Sequence, residues 1–302
     1  DLAGTRYRLD RRIGEGAMGV VYAASHKDLG KQLAIKVMHP IFARSAEYVR
    51  RFADEARSAS AVGHPHIVDV TDFGRTPEGL PFLVMEYLEG STLDRLLREH
   101  TALDCVRALD IAQQAADALS AVHQKGVIHR DLKPENIVLI RRDGKQDFVK
   151  ILDFGVAKRA EPAPGADPGG PSRRTSGTIV GTPDYMAPEQ AMGGRVDGRA
   201  DVYSLGAILY EMLSGVVPFE GRTSAETLAR AMTEKPLALA ERVPARLIHP
   251  AIDQAVLKAL ARDPDKRFAN MEAFAEELVR VRLEARVDNV APQAALEDLG
   301  KT

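Results

Sequence analysis

The stretch Val127-Ile128-His129-Arg130-Asp131-Leu132-Lys133-Pro134-Glu135-Asn136 places a carboxylate, a cation and an amide within six residues, directly after an apolar pair. Asp131 and Asn136 are five positions apart, whereas residues that share a helix face lie three or four apart. Pro134 also disfavours a helix that continues through this segment. The stretch is therefore predicted to be a loop that follows a short strand and presents polar groups to one point, on a scaffold that the rest of the chain supplies.

The composition limits the kind of protein this can be. The chain has 302 residues, 45% of them hydrophobic, which is enough for one large domain or two smaller lobes. Its 41 basic and 43 acidic residues give a formal net charge of −2, so no nucleic-acid partner is expected. The single cysteine, Cys105, excludes an internal disulfide and favours a reducing compartment, and we expect it to contribute to core packing.

The sequence contains no run that approaches the roughly 20 apolar residues of a membrane-spanning helix, so no membrane segment is expected. The first residue is Asp1, and no signal-peptide pattern follows it. The expected location is therefore cytoplasmic, either for the chain alone or as the cytoplasmic domain of a longer, membrane-anchored protein.

Residues 6–38 alternate like strands and are punctuated by glycines, which predicts an antiparallel meander. The first turn contains Gly14, Gly16 and Gly19, so its backbone N–H groups can approach phosphate oxygens closely. A dinucleotide fingerprint is rejected because a strand follows these glycines, and the residue 17 positions on is Lys36, not an acid. Taken alone, the turn is also typical of an ordinary glycine-rich hairpin, and Lys36 of a solvated strand lysine.

A helix is predicted over residues 46–62, where apolar residues recur near helical spacing, and this helix carries Glu55. Taken alone, Glu55 would be an exposed helix charge. Two further strands are expected at 67–73 and 81–87. The histidines on either side of Pro65 have no cysteine or acid at metal-ligand spacing, so we expect them to be structural and not zinc ligands.

The chain beyond a predicted hinge at 88–91 is mainly helical in pattern. Helices are expected at 92–99, 104–125, 198–214, 223–233, 249–261 and 271–286. A small hairpin should follow the opening loop, with strands near 136–140 and 148–152. Asp153-Phe154-Gly155 stands at the end of that hairpin.

Residues 160–178 differ in composition from their surroundings, being first rich in proline and glycine and then basic and rich in hydroxyls. Such a segment does not form a regular element and is predicted to be a mobile loop within the domain. After about Val287 the chain is polar and weakly patterned. The expected organisation is an N-lobe over 1–88, a C-lobe over 89–286 and a C-terminal tail or linker over 287–302.

Taken together and in this order, the motifs resemble those of the protein kinase family, most closely its eukaryotic-like bacterial serine/threonine branch. The matching segments are Gly14-x-Gly16-x-x-Gly19-x-Val21, Leu33-Ala34-Ile35-Lys36, Glu55, His129-Arg130-Asp131-Leu132 with Asn136, Asp153-Phe154-Gly155, Ala187-Pro188-Glu189, Asp201 and Arg267. They extend from residue 14 to residue 267, which is nearly the whole chain. A chance match of so many ordered motifs is negligible.

The resemblance implies an α+β, bilobal protein-kinase fold. The N-lobe would be a small five-stranded antiparallel sheet with one main helix, and the C-lobe would be larger and mainly α-helical. The implied function is transfer of the γ-phosphoryl group of ATP to serine or threonine hydroxyls of protein substrates, with a transient homodimer for autophosphorylation. Such transfer depends on positioning and charge neutralisation more than on covalent work.

The same resemblance implies roles for the polar residues. Asp131 would accept the proton of the substrate hydroxyl or orient that hydroxyl, and Lys133 would neutralise the transferring phosphoryl group. A lysine at that place is typical of serine/threonine enzymes. Lys36 would bind the α- and β-phosphates and would be held by an ion pair with Glu55, while the glycine-rich turn would cover the phosphates.

The nucleotide and its metal ion have implied positions as well. Asn136 and Asp153 would bind Mg²⁺, or Mn²⁺ in its place, because hard cations prefer carboxylate, amide and water oxygens. Met85 would be the gatekeeper, and the backbone of Glu86 and Leu88 would contact the adenine edge. The full expected ATP site consists of Ile13, Gly14, Gly16, Gly19, Val21, Ala34, Lys36, Met85, Glu86, Leu88, Val138 and Asp153.

Arg130, directly before the expected base, suggests a point of regulation. In the family such an arginine pairs with a phosphorylated residue of the activation loop, and a phosphate of about −1.5 to −2 charge can order a loop in this way. The candidate phosphosites are Thr175, Ser176 and Thr178, with Ser172 as a weaker candidate. Thr182 is expected to have another role, as a hydrogen-bonding residue near Asp131.

Two functions from other classes compete with this one. A pseudokinase that senses nucleotide or serves as a scaffold would lack a catalytic residue, whereas the five expected lysine, carboxylate and amide groups are all in place. A small-molecule phosphotransferase of kinase-like fold is disfavoured by Ala187-Pro188-Glu189 and Asp201, which indicate a peptide-binding platform.

Overall fold

The structure is a computed structural model that describes residues 2, 4–16, 18–153 and 182–299, with side chains described as far as residue 285. The predicted loop at 160–178 lies outside the described residues, as do Phe154 and Gly155.

Five antiparallel strands form the first sheet, in the order β1-β2-β3-β5-β4. The strands are β1 (Tyr7–Gly16), β2 (Gly19–His26), β3 (Gln32–Met38), β4 (Val70–Arg75) and β5 (Pro81–Glu86). The expected five-stranded N-lobe is thereby confirmed. The strand predicted from residue 67 begins only at Val70, because Ile67 instead forms a parallel bridge with Ile151 in the C-lobe.

The main N-lobe helix, α2 (Ala46–Val62), has the predicted bounds and follows a short α1 (Pro40–Ala43) that the sequence did not predict. Helix α2 ends at Gly63, whose φ of 61° is left-handed and costs glycine nothing sterically. The buried residues of its inner face are Phe52, Glu55, Ala56 and Ala59. Glu55 is thus turned into the protein and not toward solvent.

A second, three-stranded sheet begins the C-lobe in the order β6-β7-β8. It consists of β6 (Gly90–Thr92), β7 (Ile137–Arg142) and β8 (Lys145–Ile151). Strands β7 and β8 are the predicted hairpin, while β6 is too short to show an alternating pattern. A single 3₁₀ turn at Pro134–Asn136 leads into β7, and proline suits its first position because no N–H partner is needed there.

The remainder of the described chain is mainly helical, as predicted, although its two four-residue helices were not predicted. Its helices are α3 (Leu93–His100), α4 (Cys105–Gln124), α5 (Pro188–Ala191), α6 (Arg199–Ser214), α7 (Ser224–Thr233), α8 (Leu239–Arg242), α9 (Pro250–Ala259) and α10 (Met271–Leu299). Helix α6 is buried along almost its whole length and packs against α4 and α9. The C-lobe core therefore surrounds the helix that carries Asp201.

Helix α10 continues to Leu299, so the predicted helix end at residue 286 is wrong. The apolar periodicity fades there and Pro292 disfavours helix, but the alanine, leucine, glutamine and glutamate residues around it favour helix without needing an apolar face. Whether the domain itself ends at 286 stays a prediction. Within the described ranges, no helix combines the length and apolar character that crossing a membrane requires.

Candidate active site

The loop His129–Asn136 is held by a buried carboxylate from helix α6. Asp201 accepts hydrogen bonds from the backbone N–H of His129 at 2.8 Å and of Arg130 at 2.9 Å, and its Oδ2 lies 2.7 Å from Nε2 of His123. Burial would raise the pKa of Asp201, but the hydrogen bond and charge of His123 hold it below its ordinary value. Arg130 has a φ of 62°, in the left-handed region that is unfavourable for residues other than glycine. The hydrogen bonds to Asp201 therefore stabilise a strained backbone.

The loop also closes on itself. The side-chain Nδ2 of Asn136 donates to the backbone carbonyl of Asp131 at 2.8 Å. Because the amide nitrogen is used in this way, the amide oxygen is the atom that remains for a cation. Lys133 donates a hydrogen bond to Oγ1 of Thr182 at 3.3 Å. Thr182 therefore lies beside the loop, and the residue it contacts there is Lys133.

Lys36 lies between two carboxylates. Its Nζ is 2.9 Å from Oε1 of Glu55 and 2.9 Å from Oδ1 of Asp153. Both Lys36 and Glu55 are only 6% exposed. The solvated-lysine and exposed-charge interpretations are therefore wrong, and the predicted ion pair is present. The three side chains come from β3, from α2 and from the segment after β8, so this contact joins both lobes.

The cluster contains one lysine and two carboxyl groups, and each shifts the pKa of the others. Burial alone would lower the pKa of Lys36, but the charges of Asp153 and Glu55 raise it above its ordinary value. Partial burial would raise the pKa of Asp153, but the charge of Lys36 instead holds that pKa below its usual range. Burial raises the pKa of Glu55 to about 7, against the opposing charge of Lys36 and with help from Asp153. One ammonium thus lies between two carboxyl groups, of which Asp153 keeps its charge more readily than Glu55.

The donor atoms at this point fit a hard divalent cation. The carboxyl group of Asp153 is ionised and 45% exposed, and the amide oxygen of Asn136 is not used by the loop. Mg²⁺ is typically held by one or two protein carboxylates together with waters and substrate phosphates. In the part of the chain that the structure describes, no three His, Cys, Asp or Glu side chains form a metal cage, and Mg²⁺ does not require one.

The glycine-rich turn contains glycines of two kinds. A Cβ at Gly19 would lie 2.3 Å from the carbonyl oxygen of Val37, so the close approach of β3 requires glycine there. At Gly14 and Gly16 a Cβ would meet no described atom nearer than 4.0 Å. The packing of the described chain therefore does not require these two glycines, because a side chain would find room at either position.

The residues expected around adenine occupy strands of both sheets. They are Ile13 on β1, Val21 on β2, Ala34 on β3, Met85 and Glu86 on β5, Leu88 between the sheets, and Val138 on β7. Ala34 and Met85 are register partners and both are buried. Ile13 is 40% exposed, as a residue lining an open cleft would be. Their part in adenine binding stays a prediction.

The segment after the undescribed range is anchored firmly to the C-lobe. Glu189 forms two hydrogen bonds of 2.7 Å with the guanidinium of Arg267. Tyr185 donates to Glu211 at 2.7 Å. Gln190 donates to the backbone carbonyl of Arg130 at 2.9 Å, a contact that no sequence motif predicts. The phosphosite candidates, Thr175, Ser176 and Thr178 with the weaker Ser172, lie outside the described residues.

Comparisons with known proteins agree with this geometry. The model of the protein kinase domain family matches residues 7–279. The chain is 40% identical over 288 residues to the serine/threonine-protein kinase pkn3 of Myxococcus xanthus, covering 95% of the chain and 52% of that protein. It is 39% identical over 279 residues to the serine/threonine-protein kinase PknB of Mycolicibacterium smegmatis, covering 91% and 43% respectively. The chain thus spans about half the length of these relatives, or less.

A solved structure shows the same fold. The kinase domain of Mycobacterium tuberculosis PknI superposes with a TM-score of 0.69 at 29% identity, covering 91% of this chain and 96% of that one. Proteins of this family use ATP, a divalent metal ion and a protein substrate. The family match over residues 7–279, together with relatives at 40% and 39% identity, shows that the chain belongs to the protein kinase family, in its bacterial serine/threonine branch.

Proposed function

We propose that the protein containing this chain transfers the γ-phosphoryl group of ATP to serine and threonine hydroxyls of protein substrates. The observation that carries the proposal is the position of Lys36, whose ammonium lies 2.9 Å from both Glu55 and Asp153. In this proposal Lys36 would bind the phosphates and Asp153 would bind the metal ion, so the contact between them would hold the two roles side by side. Phosphoryl transfer needs that combination of fixed charges more than it needs a nucleophile on the protein.

The N-lobe residues would hold the nucleotide. Lys36 is a buried cation whose pKa is raised, and its ion pair with Glu55 would hold the side chain toward the α- and β-phosphates. The turn of Gly14 and Gly16, where the described chain leaves room beside the backbone for a side chain, would cover the phosphates with backbone N–H groups. Because these groups are already oriented, little reorganisation would be needed when ATP binds.

The catalytic loop would act on the incoming hydroxyl. The Asp131 carboxylate would orient this hydroxyl and take its proton as the oxygen forms a bond to the γ-phosphorus and the bond to the β–γ bridging oxygen breaks, releasing ADP. The ammonium of Lys133, held at the loop through Thr182 at 3.3 Å, would stabilise charge on the transferring group. Asn136 and Asp153 would hold Mg²⁺, or Mn²⁺ in its place, which supplies neutralisation of the phosphate charges when bound.

This function is tested by supplying γ-labelled ATP, Mg²⁺ and a generic basic protein to the wild-type chain. We expect label to enter the protein substrate. Nucleotide binding is measured in parallel with a fluorescent ATP analogue. Binding without any transfer would contradict the proposal and favour the pseudokinase alternative, whereas label transferred only to small hydroxyl compounds would favour a small-molecule phosphotransferase.

We further propose that the activity is controlled by autophosphorylation between two copies in a transient homodimer. The support is the position of Arg130, which directly precedes Asp131 and whose backbone is fixed on both sides, by Asp201 at 2.9 Å and by Gln190 at 2.9 Å. A phosphate paired with Arg130 would therefore act on the loop that carries the expected base. The proposed acceptors remain Thr175, Ser176 and Thr178.

Mass spectrometry of ATP-treated protein is expected to find phosphate between Ser172 and Thr182. An Asp131→Asn copy should carry none when treated alone and should gain it when mixed with wild-type protein, at a rate that rises with concentration. Absence of phosphate from this range in the wild-type protein would contradict the regulatory proposal. Phosphate on the wild-type copy alone in the mixture would contradict transfer between copies.

The cytoplasm is the proposed location of this domain, because ATP and reduced thiols are found there and the chain has a single cysteine, Cys105. Cell fractionation followed by detection of the domain tests this location. Recovery of the domain from an extracytoplasmic fraction would contradict it.

A further inference from the structure

Lys150 is a buried lysine that the expected catalytic machinery does not use. It lies on β8 and is 4% exposed. Its Nζ is 2.5 Å from Oε1 of Glu86 and 3.3 Å from the carbonyl oxygen of Ile67. A buried ammonium is costly unless it is paired and hydrogen-bonded. The surroundings of Lys150 meet that condition, with one partner on β5 and one in the segment before β4.

Glu86 connects this lysine to the hinge. It is the last residue of β5, directly after Met85. The carboxylate oxygen that contacts Lys150 also accepts the backbone N–H of Asp69 at 2.8 Å. In return, the backbone N–H of Glu86 donates to the carbonyl of Asp69 at 2.9 Å. Glu86 is therefore fixed by its side chain and its backbone at the point where the adenine edge is expected to bind.

The segment that follows helix α2 lies along β8 like an additional strand. Ile151 donates its backbone N–H to the carbonyl of His66 at 2.8 Å and accepts the N–H of Val68 at 3.0 Å. The ring Nδ1 of His66 lies 2.8 Å from the carbonyl oxygen of Val149. Strand β8 is therefore hydrogen-bonded to the segment between α2 and β4, which belongs to the N-lobe. Asp153 follows two residues after Ile151, the last residue of β8.

We propose that Lys150 is a positioning residue whose ion pair with Glu86 sets the spacing between the hinge and strand β8, which leads to Asp153. The inference rests on the proposed function, in which the hinge binds adenine and Asp153 holds the metal ion beside the phosphates. A ligand that contacts both the hinge and the metal ion at Asp153 requires the correct spacing between them, whereas a ligand that contacts only the hinge does not. This difference separates a positioning role from a merely structural one.

The test compares two ligands on wild-type protein and on Lys150→Met. Adenosine contacts the hinge end alone, and MgATP contacts both ends. We expect Lys150→Met to weaken MgATP binding about tenfold, equivalent to about 1.4 kcal/mol, and to leave adenosine binding within about twofold. Equal weakening of both ligands, or no weakening of either, would overturn the inference.

Arg107, on helix α4, offers a matched control because it contacts the same hairpin. Its guanidinium forms two hydrogen bonds of 2.9 Å with Asp147, which tie β8 to helix α4 and not to the hinge. Arg107→Met should leave the ratio of MgATP to adenosine affinity unchanged. A selective loss of MgATP binding in this variant would show that any loosening of the hairpin has the same effect, and the specific role of Lys150 would be lost.

A double variant separates positioning from folding. Lys150→Met leaves the Glu86 carboxylate without its cation, whereas Lys150→Met with Glu86→Gln removes both charges and keeps an acceptor for Asp69. The double variant should regain thermal stability but keep the weak MgATP binding, and recovery of both together would overturn the inference. Wild-type binding and transfer are measured in parallel. If both are present while the Lys150 variants bind normally, this inference fails and the proposed function stands.

Discussion

Replacing Asp131 with asparagine is expected to slow transfer of the γ-phosphoryl group by about 10²–10⁴-fold, the usual contribution of a positioned acid or base. Asparagine has the same shape but cannot take the hydroxyl proton. The hydrogen bonds that hold the loop should persist, because they involve backbone atoms and not the Asp131 side chain. Asp201 accepts from the backbone N–H groups of His129 and Arg130, and Asn136 donates to the backbone carbonyl of Asp131. Single-turnover transfer and MgATP affinity should be measured on the same preparation, with affinity changed by less than about twofold.

Asp143→Asn is the matched control for this change. Asp143 lies in the exposed β7–β8 turn with a φ of 50°, a conformation that asparagine tolerates well. The Asp143→Asn protein should transfer the γ-phosphoryl group at the wild-type rate. Wild-type transfer by the Asp131 variant would contradict the role assigned to Asp131, and lost nucleotide binding would show that the site had been disrupted instead.

Replacing Arg267 with methionine is expected to lower the free energy of unfolding by about 3–5 kcal/mol, because it leaves a buried carboxylate without its partner. The side chain of Arg267 is fully buried, and its two terminal nitrogens each lie 2.7 Å from an oxygen of Glu189. Further bonds reach the backbone carbonyls of Ala261, Arg199 and Arg262. Methionine fills part of the space but satisfies none of these acceptors.

Denaturant unfolding measures this loss, and Arg95→Met serves as the control. The Arg95–Glu99 pair has a similar separation of 2.8 Å but is exposed to solvent, so its removal should change stability by less than about 1 kcal/mol. Adding Glu189→Gln to Arg267→Met should recover part of the loss. A change in Arg267→Met as small as in the control would show that the buried pair does not stabilise the fold.

Much of the fold was predictable from local pattern, and the exceptions have physical causes. Helix α2 has the predicted bounds because its apolar spacing and the Gly63 stop are both local signals. The late start of β4 was not predictable, since residues 66–68 pair with β8, which lies far away in sequence. Helix α10 was predicted too short because its later residues favour helix without showing an apolar face.

The site was recognisable as an ordered set of motifs but not residue by residue. Lys36 and Glu55 look like surface charges in their own segments, and only tertiary packing makes them a buried pair at 2.9 Å. Asp201 was part of the motif set, but its hydrogen bonds to the backbone of His129 and Arg130 could be seen only in the structure. The contact between Lys150 and Glu86 joins residues that no local pattern relates.

The measurement that most directly tests phosphoryl transfer to serine and threonine is phosphoamino acid analysis after reaction with γ-labelled ATP and Mg²⁺. Wild-type protein and Asp131→Asn should be run side by side on the same protein substrate. We predict label in phosphoserine or phosphothreonine with the wild-type protein and a reduction of about 10²–10⁴-fold in its rate of appearance with the variant. Label confined to phosphotyrosine, or equal labelling by the two proteins, would contradict the proposed function.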